Sequence, residues 1–187
     1  MLGMDEPEHR RLRALLSGAF TQRAIARRQR DPVERVADEL IDRFVERGRA
    51  ELTREFTFPY PTKIIAHLLG LPQEDYPQFQ KWSISILAFT VNRERALAAS
   101  EALREYFMPI LAARREEPRD DLVSTLARAE IDGERLDDEE IFSFLRLLLP
   151  AGIETTYRST GNLLFGLLDR KSTRLNSSHM SESRMPS

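Results

Sequence analysis

Leu147-Leu148-Leu149-Pro150-Ala151-Gly152-Ile153-Glu154-Thr155-Thr156 interrupts an apolar helical run with a proline, a glycine and an acid beside an alcohol. A helix built only for packing has no use for that set. Pro150 has no amide hydrogen and its ring crowds the carbonyl of Arg146, while Gly152 lowers helix propensity, so the spacing predicts a local opening of the backbone. Thr155 lies four residues after Ala151, and its hydroxyl can bond back to that carbonyl and hold the opening in place. Such a groove can hold a small ligand, with Glu154 and Thr155 placed to pass a proton.

Asp137 followed by Glu140 has the form of a capping box, and the helix it opens is expected to reach Leu168, about 31 residues or ~46 Å long. A helix of that length suits the spine of a domain larger than the residues available here to surround it. Just before it, Ile131-Asp132-Gly133-Glu134-Arg135-Leu136 carries an Asp-Gly turn signal, a hairpin candidate with very short strands. Everything upstream reads as helix. Asp5 can cap a first helix running to about Ala19, with Leu12, Leu15, Leu16, Ala19 and Phe20 at three-and-four spacing. Asp31-Pro32 is a second start signal, and an apolar stripe from Val33 to Phe44 continues until Gly48. Ile64 to Leu69 forms a short buried helix closed by Gly70 and Pro72. Two longer helices follow, from about Glu74 to Phe89 and from about Arg93 to Glu117, the second with Leu97, Leu103, Phe107, Ile110 and Leu111 inward and Pro118 as its stop. The expected class is mainly α with at most a short hairpin.

Composition narrows the function. Among 187 residues, 28 Lys plus Arg nearly balance 30 Asp plus Glu, which argues against nucleic acid or a membrane surface as the main partner. The sequence has no cysteine, so disulfides, zinc thiolates and thiolate-ligated iron are excluded within this polypeptide. No apolar run reaches membrane-spanning length and no signal peptide opens the chain, so a cytoplasmic location is expected.

On a helical wheel His9, Leu12, Arg13, Leu16 and Phe20 share one face of the first helix, with Arg10 and Arg11 turned away. An inward Arg13 needs an anion, because a buried unpaired charge is costly, and His9 and Arg13 one turn apart can grip the carboxylates of a cofactor. A surface helix whose Arg13 snorkels to water fits the same periodicity. His67 has the place of an ordinary core-edge histidine. Trp82, Ile84, Ile86, Leu87 and Phe89 form a cluster that fits either a core or the lining of a substrate region.

Two motifs in order carry a resemblance. Asp5-Glu6-Pro7-Glu8-His9-Arg10-Arg11-Leu12-Arg13, continuing to Ala19-Phe20-Thr21, resembles the haem-propionate-binding helix of bacterial cytochrome P450 monooxygenases, with its His-x-x-x-Arg pair. Ala151-Gly152-Ile153-Glu154-Thr155 resembles the same family's oxygen-binding motif on its long central helix. The resemblance implies the central portion of the P450 fold, an oxidoreductase with haem b as cofactor, a small organic substrate and a ferredoxin-type electron donor. It implies that His9 and Arg13 bind the haem propionates and that Ala151 and Gly152 form the groove beside the iron. It further implies that Thr155 bonds bound oxygen while Glu154 delivers protons. Arg10 and Arg11 would belong to the basic surface that meets the electron donor, or to a merely solvated face.

The chain departs from the family pattern in having no cysteine for the axial ligand and no Glu-x-x-Arg helix after the central one. Glu101 and Arg104 have that spacing but lie before the oxygen motif. The reading is therefore a segment truncated at both ends, with residues 1–169 an incomplete helical domain that is inactive alone and short of haem's axial ligand. Residues 170–187, KSTRLNSSHMSESRMPS after Arg170, read as a disordered and non-native tail, with a natural flexible terminus as the other reading. The alternative function is a non-catalytic helical binding or interaction protein; a DNA-binding regulator is prompted by the arginines but lacks a helix-turn-helix signature. Apolar faces left without cover predict poor solubility.

Overall fold

The helix that opens at Asp138 is the longest element among the described residues. The computed structural model describes residue 6 and residues 8–131 and 133–182, with the backbone alone at 8, 15, 16, 18, 19, 22–30, 131 and 170–182. The Asp5 cap, Asp132 and the side chains of Leu15, Leu16 and Ala19 lie outside the described residues. Seven α-helices are present among the described residues: α1 (Glu8–Ala19), α2 (Gln22–Asp42), α3 (Pro59–Leu68), α4 (Tyr76–Leu87), α5 (Arg93–Glu116), α6 (Leu122–Ala127) and α7 (Asp138–Glu182). A π-helical turn at Thr53–Thr57 precedes α3, and a 3₁₀ turn at Gln73–Asp75 leads into α4. Strands β1 (Glu130–Ile131) and β2 (Glu134–Arg135) form an antiparallel hairpin, with Glu130 opposite Arg135. No helix among the described residues is long and apolar enough to cross a membrane.

Local chemistry explains most boundaries. Gly70, at φ +69°, closes α3 as a Schellman cap: its amide donates to the His67 carbonyl at 2.9 Å and the Leu71 amide to the Ala66 carbonyl at 3.0 Å. Asn92 caps α5 by accepting from the Arg95 amide at 3.0 Å. The capping box that opens α7 is reciprocal. The Asp137 amide donates to Glu140 Oε2 at 2.8 Å, and the Glu140 amide to Asp137 Oδ1 at 2.7 Å. Gly133, at φ +82°, makes the hairpin turn.

Several expectations are corrected. Pro32 does not start a helix but sits inside α2, because losing one ladder bond does not end a helix whose neighbouring turns are intact. Leu97 is 52 % exposed; it precedes Leu103 by six residues, about 240° around the helix, and so faces away from the Leu103, Phe107 and Leu111 stripe. The helix expected to end at Leu168 runs to Glu182, in a stretch with no glycine or proline between Gly166 and Pro186 to stop it.

The core lies where α3, α5, α6 and α7 meet, with Leu12 of α1 and Phe79 of α4. The buried residues of α7 are Ile141, Phe142, Leu145, Leu149 and Ile153, essentially one i, i+4 stripe. Beneath α3 lies a buried polar node. Arg114 Nε donates to Asp121 Oδ2 at 2.7 Å, and Asp121 Oδ1 accepts from the Ser124 amide at 2.7 Å, capping α6. A Cβ on Gly70 would meet Asp121 Oδ2 at 2.5 Å, so the absence of a side chain there admits the node as well as the turn.

Candidate functional site

One turn of α7 sends its residues in different directions. Ile153 is fully buried in the core stripe, whereas Ala151 and Thr155 are exposed. With Phe144 and Leu148, both partly buried, they follow one another at spacings of four, three and four and make one continuous strip. Thr155 Oγ1 donates to the Ala151 carbonyl at 2.6 Å, the back-bond its spacing predicts. The backbone does not open, however: α7 is continuous through Pro150. A proline frees one carbonyl, that of Arg146, and buried Leu145, Leu149 and Ile153 on either side hold the axis.

Gly152 points at α3. A Cβ there would lie 2.6 Å from Ile65 Cδ1, and Ile65 is 6 % exposed. This glycine therefore sets the approach of α3 to α7, and its neighbour is an isoleucine.

Glu154 leaves the helix on another side. It lines a cavity of about 630 Å³ with Phe58, Ile84, Leu87, Tyr157 and Arg158. Its Oε1 accepts from Arg158 Nε at 3.0 Å and Nη2 at 2.8 Å. The Tyr157 ring meets Phe58 edge-on at 5.7 Å. A second cavity of about 420 Å³ lies between α4, α5 and the segment of α7 before the motif, lined by Ile86, Phe89, Leu97, Ser100, Leu147 and Pro150 among others. The cluster from Trp82 to Phe89 thus divides: Ile84 and Leu87 face the Glu154 cavity, Ile86 and Phe89 the second one, and Trp82 packs against Tyr106 at 5.4 Å.

On α1, Arg13 is exposed, and half-buried His9 lies 3.7 Å from a Glu6 carboxylate oxygen through Nδ1. Arg10 is exposed and also pairs with Glu6. Arg11 is not on a free basic surface: it is half-buried and pairs with Glu140 and Glu134, joining α1 to the capping box and the hairpin. Phe20 meets Phe144 at 5.7 Å, so the region after α1 rests at the base of the strip that ends in Thr155. The structure thus places His9 and Arg13 on one element and Ala151, Glu154 and Thr155 on another, with the contact between them near Glu140 and Phe144. No group of three or more His, Cys, Asp or Glu residues suited to a metal ion occurs among the described residues.

The residues that sequence reasoning missed are the cavity partners outside the cluster from Trp82 to Phe89. Arg158 was legible from its i, i+4 spacing to Glu154. Phe58, Ser100 and Tyr157 carried no local signal.

No family model matches the chain. It is 37% identical over 172 residues to the polyketide biosynthesis cytochrome P450 PksS of Bacillus subtilis, covering 91% of this chain and 42% of that protein. It is 38% identical over 168 residues to cytochrome P450 107B1 of Saccharopolyspora erythraea, covering 90% of this chain and 41% of the other. The solved structure of PksS superimposes with a TM-score of 0.86 at 35% identity, over 97% of this chain and 47% of that one. The LnmA cytochrome P450 hydroxylase from the leinamycin pathway of Streptomyces atroolivaceus gives 0.85 at 36% identity, over 97% and 47%. The chain spans about two fifths of the length of the curated relatives it matches. Over the part of the fold that it spans, from the helix of His9 and Arg13 to the long helix of Ala151–Thr155, this chain belongs to the bacterial cytochrome P450 family.

Proposed function

We propose that the whole protein carrying this sequence is a haem-dependent monooxygenase that inserts one oxygen atom of dioxygen into a small organic substrate. The observation that supports the reading most is the bond from Thr155 Oγ1 to the Ala151 carbonyl on the uncovered strip of α7, with Glu154 at the adjacent position. The residues present fit one flank of a haem: a strip with a small side chain at Ala151, and an exposed guanidinium at Arg13 for a propionate, with His9 one turn away. The thiolate that the family uses as axial ligand is not in this sequence, which contains no cysteine, so the 187 residues alone are inactive on this reading.

When bound, haem supplies the activation of dioxygen and the residues of α7 supply protons. Thr155 directs its hydrogen to Ala151 and keeps lone pairs open to a donor, so its hydroxyl relays a proton by turning that hydrogen off the Ala151 carbonyl and releasing it outward as it accepts another. Glu154 sits where solvent reaches it through its cavity, and its pairing with Arg158 keeps the carboxylate oriented. Protons thus enter by Glu154 and leave by Thr155 on the neighbouring face. The cavity walled by Ile86, Phe89, Leu97, Leu147 and Pro150 suits a largely apolar substrate, with Ser100, Ser143 and Arg146 as polar points of attachment. Electrons come from a ferredoxin-type donor.

The reading is tested by reduced carbon monoxide difference spectroscopy of the chain mixed with haem, and of a longer gene product that includes a cysteine ligand. The thiolate signature is expected from the longer product and not from the 187 residues. In the longer product, Glu154→Gln is expected to slow product formation by about 10²-fold. Unchanged turnover in that variant would remove Glu154 from the mechanism, and a longer product without the thiolate signature would remove the haem monooxygenase assignment.

A further inference from the structure

Arg35, Arg43, Lys63 and His67 converge on a polar cleft of about 310 Å³ between α2, α3 and the start of α4. Among its charged lining residues Glu39 is the sole carboxylate. Three permanent cations against one anion leave an excess of two positive charges before any proton on His67 is counted. Glu39 is already engaged: it accepts from Lys63 Nζ at 2.8 Å and from Arg43, and the Lys63 bond, followed by the charges of Lys63 and Arg43, outweighs burial and holds its carboxyl below the ordinary range. Lys63 is fixed in place, 18 % exposed, with its ammonium 5.8 Å from the centre of the Tyr76 ring. Arg35 is exposed, and no hydrogen bond or ion pair to it is present among the described residues.

The surroundings restrict what such a cleft accepts. Arg35 and Glu39 form the ridge between it and a shallow groove lined by Asp31, Glu34, Asp38 and Asp42 of the same helix. Those four carboxylates repel an extended polyanion such as a nucleic acid or an anionic membrane lying across the ridge, but they do not reach into the cleft. A compact anion fits both conditions. Phosphate is matched to a fixed ammonium and a free guanidinium fork, which present several donors at short range.

We propose that this cleft is a binding site for a compact phosphate group, free or as a small phosphomonoester, held by Arg35 and Lys63 with Arg43 beside them. The site lies on α2, α3 and α4 and is independent of the haem reading.

The test is calorimetric titration of the full 187-residue chain with inorganic phosphate, at ionic strength held constant with sodium chloride. Saturable binding at one site is expected. Arg35→Ala is expected to weaken it at least tenfold, and Arg135→Ala, on the hairpin outside the cleft, to leave it unchanged. Arg35 is exposed and without an ion pair, so the variant keeps the fold, which its circular dichroism spectrum checks; Lys63→Gln is a second variant with the same expected direction. No saturable heat with the wild-type chain, or equal affinity in Arg35→Ala, would overturn the proposal. So would sedimentation with vesicles of phosphatidylcholine and phosphatidic acid in the absence of binding to free phosphate, because the acidic ridge would then not be excluding a membrane.

Discussion

Gly152→Ala is the change for which the structure gives the clearest arithmetic. The added Cβ would stand 2.6 Å from Ile65 Cδ1 and 3.6 Å from Ile65 Cγ1. The first distance is a collision and the second an ordinary contact, so the whole clash rests on one methyl group. Ile65 is buried and cannot swing into solvent. Overpacking of this kind costs about 1–3 kcal/mol, against which alanine returns about 1 kcal/mol of helix propensity, leaving a net loss of about 1 kcal/mol. Ile65→Val removes the Cδ1 methyl and by itself costs about 1 kcal/mol as a small cavity. In the double variant the new methyl fills that cavity without collision and the propensity gain is realised, so the two changes together are close to neutral. The coupling is therefore about −2 kcal/mol, well outside the ~0.5 kcal/mol scatter of independent sites. Urea unfolding followed by helical circular dichroism on the four proteins of the cycle measures it. Single-variant losses that add to within that scatter would refute the close approach of α3 to α7 at Gly152.

Two further predictions rest on buried and half-buried charge. Asp121→Ala is expected to destabilise by about 3–5 kcal/mol, because it strands Arg114 at 6 % exposure and uncaps α6, whereas Arg135→Ala, breaking an exposed pair with Glu130, should cost under about 1 kcal/mol in the same urea series. Burial first, then the charge of Arg35, hold His67 below its ordinary value, so the unfolded chain takes up this proton before the folded one does. Its contribution is thus fully present above the unfolded value of about 6.5 and is lost as pH falls below it. His67→Gln should lose less stability than wild type between about pH 7 and pH 5, and an equal loss would contradict the assignment.

The parts of the fold legible in the sequence are those specified by local chemistry. Gly70 as a left-handed stop, Asp137 with Glu140 as a reciprocal cap, the turn at Gly133 and the back-bond of Thr155 each need only residues within a turn of one another, and each is formed. What was not legible depends on distant neighbours. Pro32 reads as a helix start, yet α2 continues through it. Arg11 reads as solvent-facing from the wheel of its own helix, yet Glu134 and Glu140, more than a hundred residues later, reach it. Gly152 reads as a concession to a ligand groove; its nearest neighbour is Ile65, which no spacing within α7 reveals. The candidate site divides in the same way: the motif residues and the cluster from Trp82 to Phe89 that supplies Ile84, Ile86, Leu87 and Phe89 to the cavities are readable, whereas Phe58 and Ser100, brought in from other elements, are not.

The composition of Pro150 to Arg158 follows from the number of different surroundings that one stretch of helix must satisfy. Gly152 admits α3, Ile153 closes the core, Glu154 turns with Arg158 into a cavity, and Ala151 and Thr155 face outward. Successive residues on a helix are separated by about 100°, so four consecutive positions unavoidably address every side. Where two of those sides carry something other than core and a third brings α3 too close for a side chain, a packing helix of leucines would put a large apolar side chain against each of them. A small residue, an acid and an alcohol are the solution that keeps the helix continuous while leaving one face bare and one wet. Thr155 contributes to that continuity as well as to the bare face, since its hydroxyl is held by the helix's own Ala151 carbonyl and needs no partner from elsewhere to be positioned. This makes its orientation independent of how far the rest of the surroundings extend. Glu154, by contrast, depends on Arg158 and on the cavity wall from α4, so its carboxylate is the member of the pair whose placement responds to changes in neighbouring elements.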